Sequence, residues 1–150
     1  MLRWFPPISW MVLIFFASTG AGSAQNTSRI IGPLLRWIFG VITDETVWRI
    51  QFYIRKTGHA VGYGILAILC WRALAKAKTW TLEEWQARSA WLAWGIASLY
   101  AVTDEWHQSF NPSRGASGWD VLLDSIGAAL GLLLVWGVCR WRSGRIQNQA

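Results

Sequence analysis

The chain has 150 residues, 53% of them hydrophobic and only 15% charged. Ordinary soluble domains carry about a quarter charged residues, so the composition excludes a conventional water-solvated surface and leaves room for one domain. The net charge of +6 comes without a basic run interleaved with polar residues, which sets nucleic acid aside as a partner and assigns the charge to loops facing anionic lipid.

Thirteen tryptophans in such a chain point the same way. The indole ring is apolar and its N–H stays wet, so tryptophan collects at membrane–water interfaces. In chain order, the first apolar run is Ile8 to Ala24, "ISWMVLIFFASTGAGSA". It predicts a membrane span. It also fits a cleaved signal peptide, with Gly22 and Ala24 as the small pair before the cut. The segment from Arg29 to Lys56 carries Arg29, Arg36, Arg49 and Arg55 among unevenly spaced apolar residues. That pattern predicts a short amphipathic segment along the membrane surface, with an ordinary loop as the alternative. Three further spans follow, Thr57–Leu74, Ala90–Phe110 and Trp119–Cys139, each close to the ~20 residues that ~30 Å of hydrocarbon requires. Cys70 and Cys139 each sit inside an apolar run without CxxC or metal-ligand spacing, so both are read as small buried thiols.

The charges orient these spans. Arg72 at the end of the second span and Lys76, Lys78 and Arg88 in the loop after it form one basic cluster, and Arg140, Arg142 and Arg145 lie in the tail. The positive-inside rule therefore predicts cytoplasmic N- and C-termini. The stretch "YAVTDEWHQSF", residues 100 to 110, then faces the exterior whether or not the first span is cleaved.

That stretch raises the functional question, because it sets Asp104, Glu105, His107 and Gln108 at the end of an apolar helix. At about 100° per residue these groups share one broad face, and Trp106 points the other way. Lys56, His59 and Tyr63 form a second polar stripe, and Asp120 and Asp124 a third that continues into Gly127 and Gly131. Chain direction brings all three stripes to one end. An acid near mid-bilayer costs roughly 2.5–3.5 kcal/mol on insertion scales, which favours convergence with Lys56, His59 and Arg114 in one pocket just inside the outer interface. Simpler roles compete. Glu105 can sit at headgroup level, Lys56 can snorkel, His59 can be a satisfied interface histidine and Tyr63 a helix contact. The pocket is net acidic with its histidines neutral, so it suits a cationic group or a divalent ion, or keeps an acid protonated through burial. Its spacing matches no HExxH-type motif, so neither a metal nor another cofactor is expected.

The stretches "KTGHAVGYGILA" and "YAVTDEWHQSFNPSRGASGWDVLLDSIGAALG" resemble the VanZ-like family of small bacterial membrane proteins. The resemblance rests on Lys56, His59 and Tyr63; on Asp104, Glu105 and Gln108; on Pro112 and Arg114; and on Asp120, Asp124 and Gly127. The family often has Asn where this chain has Asp124, and its early "SS-x-P"-like stretch is only partly matched by "ASTGAGSAQ". The good match covers Gln51 to Leu134 within a single domain. The family's namesake is associated with resistance to teicoplanin, a glycopeptide with a fatty tail, while most members have no established activity.

The expectation is thus an all-α integral membrane helical bundle with four transmembrane helices in the cell membrane. Its function would be non-enzymatic. An outer-face pocket of Lys56, His59, Tyr63, Asp104, Glu105, Gln108, Arg114, Asp120 and Asp124 would bind a lipid-linked cell-wall precursor or a lipid-tailed glycopeptide, with membrane lipids as partners. The alternative is a membrane-embedded enzyme acting on an envelope lipid. Asp104, Glu105 and His59 are then the catalytic candidates, and Arg114 binds phosphate. A transporter is the third reading. It shows no inverted repeat or interrupted helix pair and would require an oligomer.

Overall fold

The structure, a computed structural model, describes residues 2–19, 24–78, 85–110 and 117–148, without the side chains of 24–28 and 147. After a 3-10 turn at Leu2–Trp4 come five helices: α1 (Phe5–Ser18), α2 (Ala24–Phe39), α3 (Asp44–Ala75), α4 (Ala87–Ser109) and α5 (Gly118–Gln147). There is no strand among the described residues. The stretch carrying Pro112 and Arg114 lies outside them.

Local sequence explains the helix starts. Proline occupies the first turn of α1, where no backbone N–H is needed. Thr43 caps α3 by accepting from the Thr46 backbone N–H at 3.3 Å. Asp44 and Glu45 fill its first turn, where the helix dipole favours negative charge. Ser117 caps α5 by accepting from the Trp119 N–H at 3.3 Å. Between α2 and α3 the chain turns at Gly40, whose φ of +72° suits a residue without a Cβ. Arg36 of α2 then pairs with Asp44 of α3.

The anticipated surface segment Arg29–Lys56 therefore resolves into two pieces. Residues up to Phe39 form α2, and residues from Asp44 onward are continuous with the second apolar span. Helix α3 has 32 residues, about 48 Å at ~1.5 Å per residue, well beyond ~30 Å of hydrocarbon. Two helices, Asp44–Ala75 and Gly118–Ile146, are long and apolar enough to cross a membrane, and Leu2–Ser18 is a shorter apolar helix. Helix α4 has the length at 23 residues, but its Trp, Ser and acidic residues dilute its apolar run.

Helices α3 and α5 run parallel, in register. Lys56 meets Asp120, His59 meets Asp124, Ala60 meets Gly127 and Gly64 meets Gly131. The last two are backbone contacts. A Cβ built on Gly127 would stand 2.7 Å from the Ala60 backbone carbon, and one on Gly131 2.6 Å from the Gly64 carbonyl oxygen. Small residues at i, i+4 permit this approach. Helix α4 runs back against both of them on a face of Ser89, Ala93, Ala97, Ala101 and Glu105, all buried. Helix α1 is tied to both neighbours: the Trp10 indole N–H donates to the Gly62 carbonyl at 2.8 Å, and the Tyr100 hydroxyl to the Met11 carbonyl at 2.7 Å.

The burial pattern departs from that of a water-soluble bundle: beside an apolar core of Leu66, Trp71, Leu132 and small residues it encloses acids, and large apolar side chains face outward. Leu99, Trp106, Leu130, Leu133, Leu134 and Trp141 are exposed, while Asp104, Glu105, Gln108 and Asp124 are buried. Replacing Gly127 with Val should force α3 and α5 apart and lower stability by about 1–3 kcal/mol. Gly137, where an added Cβ meets nothing within 4 Å, should tolerate Ala. Thermal unfolding in detergent checks both; equal behaviour would remove the backbone contact as the organising feature.

Candidate functional site

The polar residues gather where α4 finishes and α5 begins. The repeat that buries Ser89, Ala93, Ala97 and Ala101 reaches Glu105 one turn later, so α4 carries an acid into the bundle by continuing its own small-residue stripe. Asp104 and Gln108 flank it. Asp124 enters from α5 one turn before Gly127, on the face pressed against α3. Its side chain is wholly buried, and Asp104 and Glu105 are only 4% and 5% exposed.

Each acid has a different setting. Asp120 pairs with Lys56, both partly buried. Asp124 Oδ2 lies 3.5 Å from His59 Nδ1, and among the described residues neither of its oxygens completes a hydrogen bond. Asp104 Oδ2 accepts from Gln108 Nε2 at 3.0 Å, while its Oδ1 has no partner among the described residues. Glu105 Oε2 accepts from the Ser117 backbone N–H at 2.9 Å, which ties α4 to the start of α5. The Tyr63 hydroxyl is buried beside the Asp104 carboxylate and within electrostatic reach of Asp124.

The structure thus brings together Lys56, His59, Tyr63, Asp104, Glu105, Gln108, Asp120 and Asp124. Arg114 lies outside the described residues. His107, although on the same helix end, turns aside: its ring packs against Phe15 of α1 in a tilted pair at a centroid distance of 4.6 Å. Lys56 is engaged by Asp120, and among the described residues the partner of Asp104 is Gln108 and that of Asp124 is His59. Among the described residues no three His, Cys, Asp or Glu side chains are arranged as a metal-ligand group. Such a centre suits hydrogen bonding to a polar group or sharing of a proton among acids.

Two openings flank α3. A groove of about 1120 Å³ runs between α3 and α5 from Phe52, Lys56 and Asp120 down to Leu134. On the α1 side a cavity of about 310 Å³ is lined by Ser18, Arg55, His59 and Tyr63, among others. Arg55 and Ser18 were not singled out from the sequence. Arg55 adjoins Lys56 in the chain but sits ~100° around the helix from it, and nothing local connects Ser18 to α3.

The paired groups give a quantitative expectation. His59→Gln leaves the buried Asp124 without its partner and should cost about 1–3 kcal/mol. Asp124→Asn should cost less. The double variant should fall short of the sum by more than about 0.5 kcal/mol in thermal unfolding; strict additivity would mean that the two groups do not interact.

No curated protein and no solved structure matches the chain. The profile of the VanZ/LLP1 family matches residues 4–140. That match takes in α1, α2 and most of α5, well beyond the stretch from Gln51 to Leu134, and spans every described residue of the polar centre. The chain belongs to the VanZ/LLP1 family.

Proposed function

We propose that this protein is a multi-pass envelope protein. Its polar centre faces the exterior and holds the head group of a lipid-linked or lipid-tailed ligand. The observation that carries this reading is the burial pattern: three acids are enclosed within the bundle while Leu, Ile and Trp cover its outside. Lipid accounts for the apolar outside. A ligand accounts for acids whose oxygens remain unsatisfied among the described residues at one end, since buried polar atoms ordinarily find partners.

In this arrangement α3 and α5 span fully. Helices α1 and α4 complete a four-span bundle, and both termini are cytoplasmic. Helix α2 lies at the outer interface, where its exposed Ile30, Leu34, Trp37 and Phe39 enter the headgroup boundary and its arginines stay wet. Reporter fusions after Arg114 should behave as extracytoplasmic and those after Lys78 or Arg142 as cytoplasmic. A cytoplasmic signal after Arg114 would reverse the orientation.

A lipid-tailed glycopeptide and a lipid-linked cell-wall precursor share the required chemistry: a polar head at the outer interface and a tail anchored at ~0.8 kcal/mol per buried methylene. Binding either one contributes to tolerance of a teicoplanin-like drug. Mass spectrometry of lipids co-purifying with the wild type should find a ligand that is depleted in Asp104→Asn. The same variant should abolish any extra tolerance to a tailed over a tail-less glycopeptide in a sensitive host. Identical lipids in wild type and variant would remove the polar centre as the site. Turnover of a headgroup lipid would favour the second reading, an enzyme using Asp104, Glu105 or His59.

A further inference from the structure

We infer that the cavity between α1 and α3, beside the polar centre, is a phosphate site, so that the ligand places a phosphate there rather than against the acids, as an anionic phospholipid or a lipid-linked phosphate can. The inference rests on the reading of that centre as a head-group site and names the group it recognises. Two cations approach the centre from α3, and they differ in one decisive respect. Lys56, on the groove side, is neutralised by Asp120. Arg55, on the cavity side, makes no ion pair among the described residues. A partly buried guanidinium without an acid is an uncommitted fork of donors, matched to two oxygens of a phosphate.

The rest of the wall fits the same group. Ser18, the last residue of α1, is 2% exposed, and its hydroxyl has no hydrogen-bond partner among the described residues. It lines the cavity with Arg55 and His59. Because His59 turns Nδ1 toward Asp124, Nε2 is the nitrogen left for the cavity. It can accept from a protonated phosphate or donate when the ring is charged. Gly58 and Gly62 lie one turn apart on this wall, and an added Cβ at either meets nothing within 4 Å. They leave open the space that side chains would fill. No acidic residue lines the cavity among the described residues; Asp124 stands behind His59.

Size limits the occupant. About 310 Å³ is at the small end of ligand pockets, which run about 300–1,000 Å³. The cavity takes a phosphate and its first carbons, while the tails stay outside against the apolar faces of α1 and α3. Trp10, bonded to the Gly62 carbonyl, is adjacent and offers a fluorescence signal.

The test uses the full chain, delipidated in neutral detergent and titrated with phosphatidylglycerol, phosphatidic acid, diacylglycerol of the same tails, and inorganic phosphate. Binding is read by tryptophan fluorescence and native mass spectrometry. Both phospholipids should bind and diacylglycerol should not. Displacement by millimolar inorganic phosphate would assign the affinity to the phosphate itself, and resistance to it would assign the site to lipid; both outcomes support the site. Arg55→Gln should weaken phospholipid binding at least about tenfold. Arg55→Lys should restore part of it, and Gly58→Leu should block the cavity. Arg36→Gln, at a distant ion pair, should change nothing. Equal binding of diacylglycerol and phospholipid, or wild-type affinity in Arg55→Gln, overturns the inference. If a ligand still depends on Asp104 while Arg55→Gln is silent, the head-group reading stands and this site falls; if no lipid binds or co-purifies, both fall.

Discussion

The parallel backbone contact between α3 and α5 is the constraint on which the rest of the molecule depends. Gly127 against Ala60 and Gly131 against Gly64 bring the two helix axes so close that no side chain fits between them. Once that contact is set, the side chains just N-terminal to it on the two facing surfaces are brought within reach of one another. Those residues are His59 with Asp124 and Lys56 with Asp120. The polar centre is thus the continuation of a glycine seam rather than an independent feature. In lipid, where apolar side chains gain little by leaving the solvent, such close packing is a main source of helix association.

Helix α4 obeys the same rule from the other side. Its buried stripe is Ser and Ala until the last turns, where Glu105 takes the next position and Asp104 and Gln108 flank it. The small residues let α4 seat closely, and the close seating then encloses the acids. Enclosure would be costly without partners. The partners are distributed: Gln108 for Asp104, the Ser117 backbone for Glu105, His59 for Asp124 and Lys56 for Asp120. Several oxygens nevertheless remain unsatisfied among the described residues. A centre that is tightly built yet incompletely bonded is suited to admitting another polar group.

The two sides of α3 divide the work. Toward α5 the charge is settled as an ion pair, and the groove below it is mainly apolar. Toward α1 a guanidinium without an ion pair and a hydroxyl without a hydrogen bond, both among the described residues, and a glycine wall leave a small polar space. His59 belongs to both sides, because one nitrogen faces Asp124 and the ring lines the cavity. Helix α1 supplies the missing wall. Its hydrogen bonds to Gly62 and from Tyr100 hold it where Ser18 can face Arg55 and where Phe15 covers His107.

Much of this was written in the chain. Low charge, thirteen tryptophans and the apolar runs dictate helices with polar ends, and helical periodicity alone places Lys56, His59 and Tyr63 on one stripe and Asp120, Asp124 and Gly127 on another. Helix limits were less legible. Backbone hydrogen bonding carries α3 upstream to Thr43, far beyond its apolar window, because a helix ends where its cap is and not where hydropathy falls. Pairing was not legible at all. Periodicity fixes angles around one helix, whereas which acid takes Lys56 depends on the axial offset between two helices, and the glycine contact sets that offset. For the same reason Arg55 and Ser18 stayed hidden: they come together only because α1 docks on the far side of α3, a long-range arrangement that no local pattern encodes.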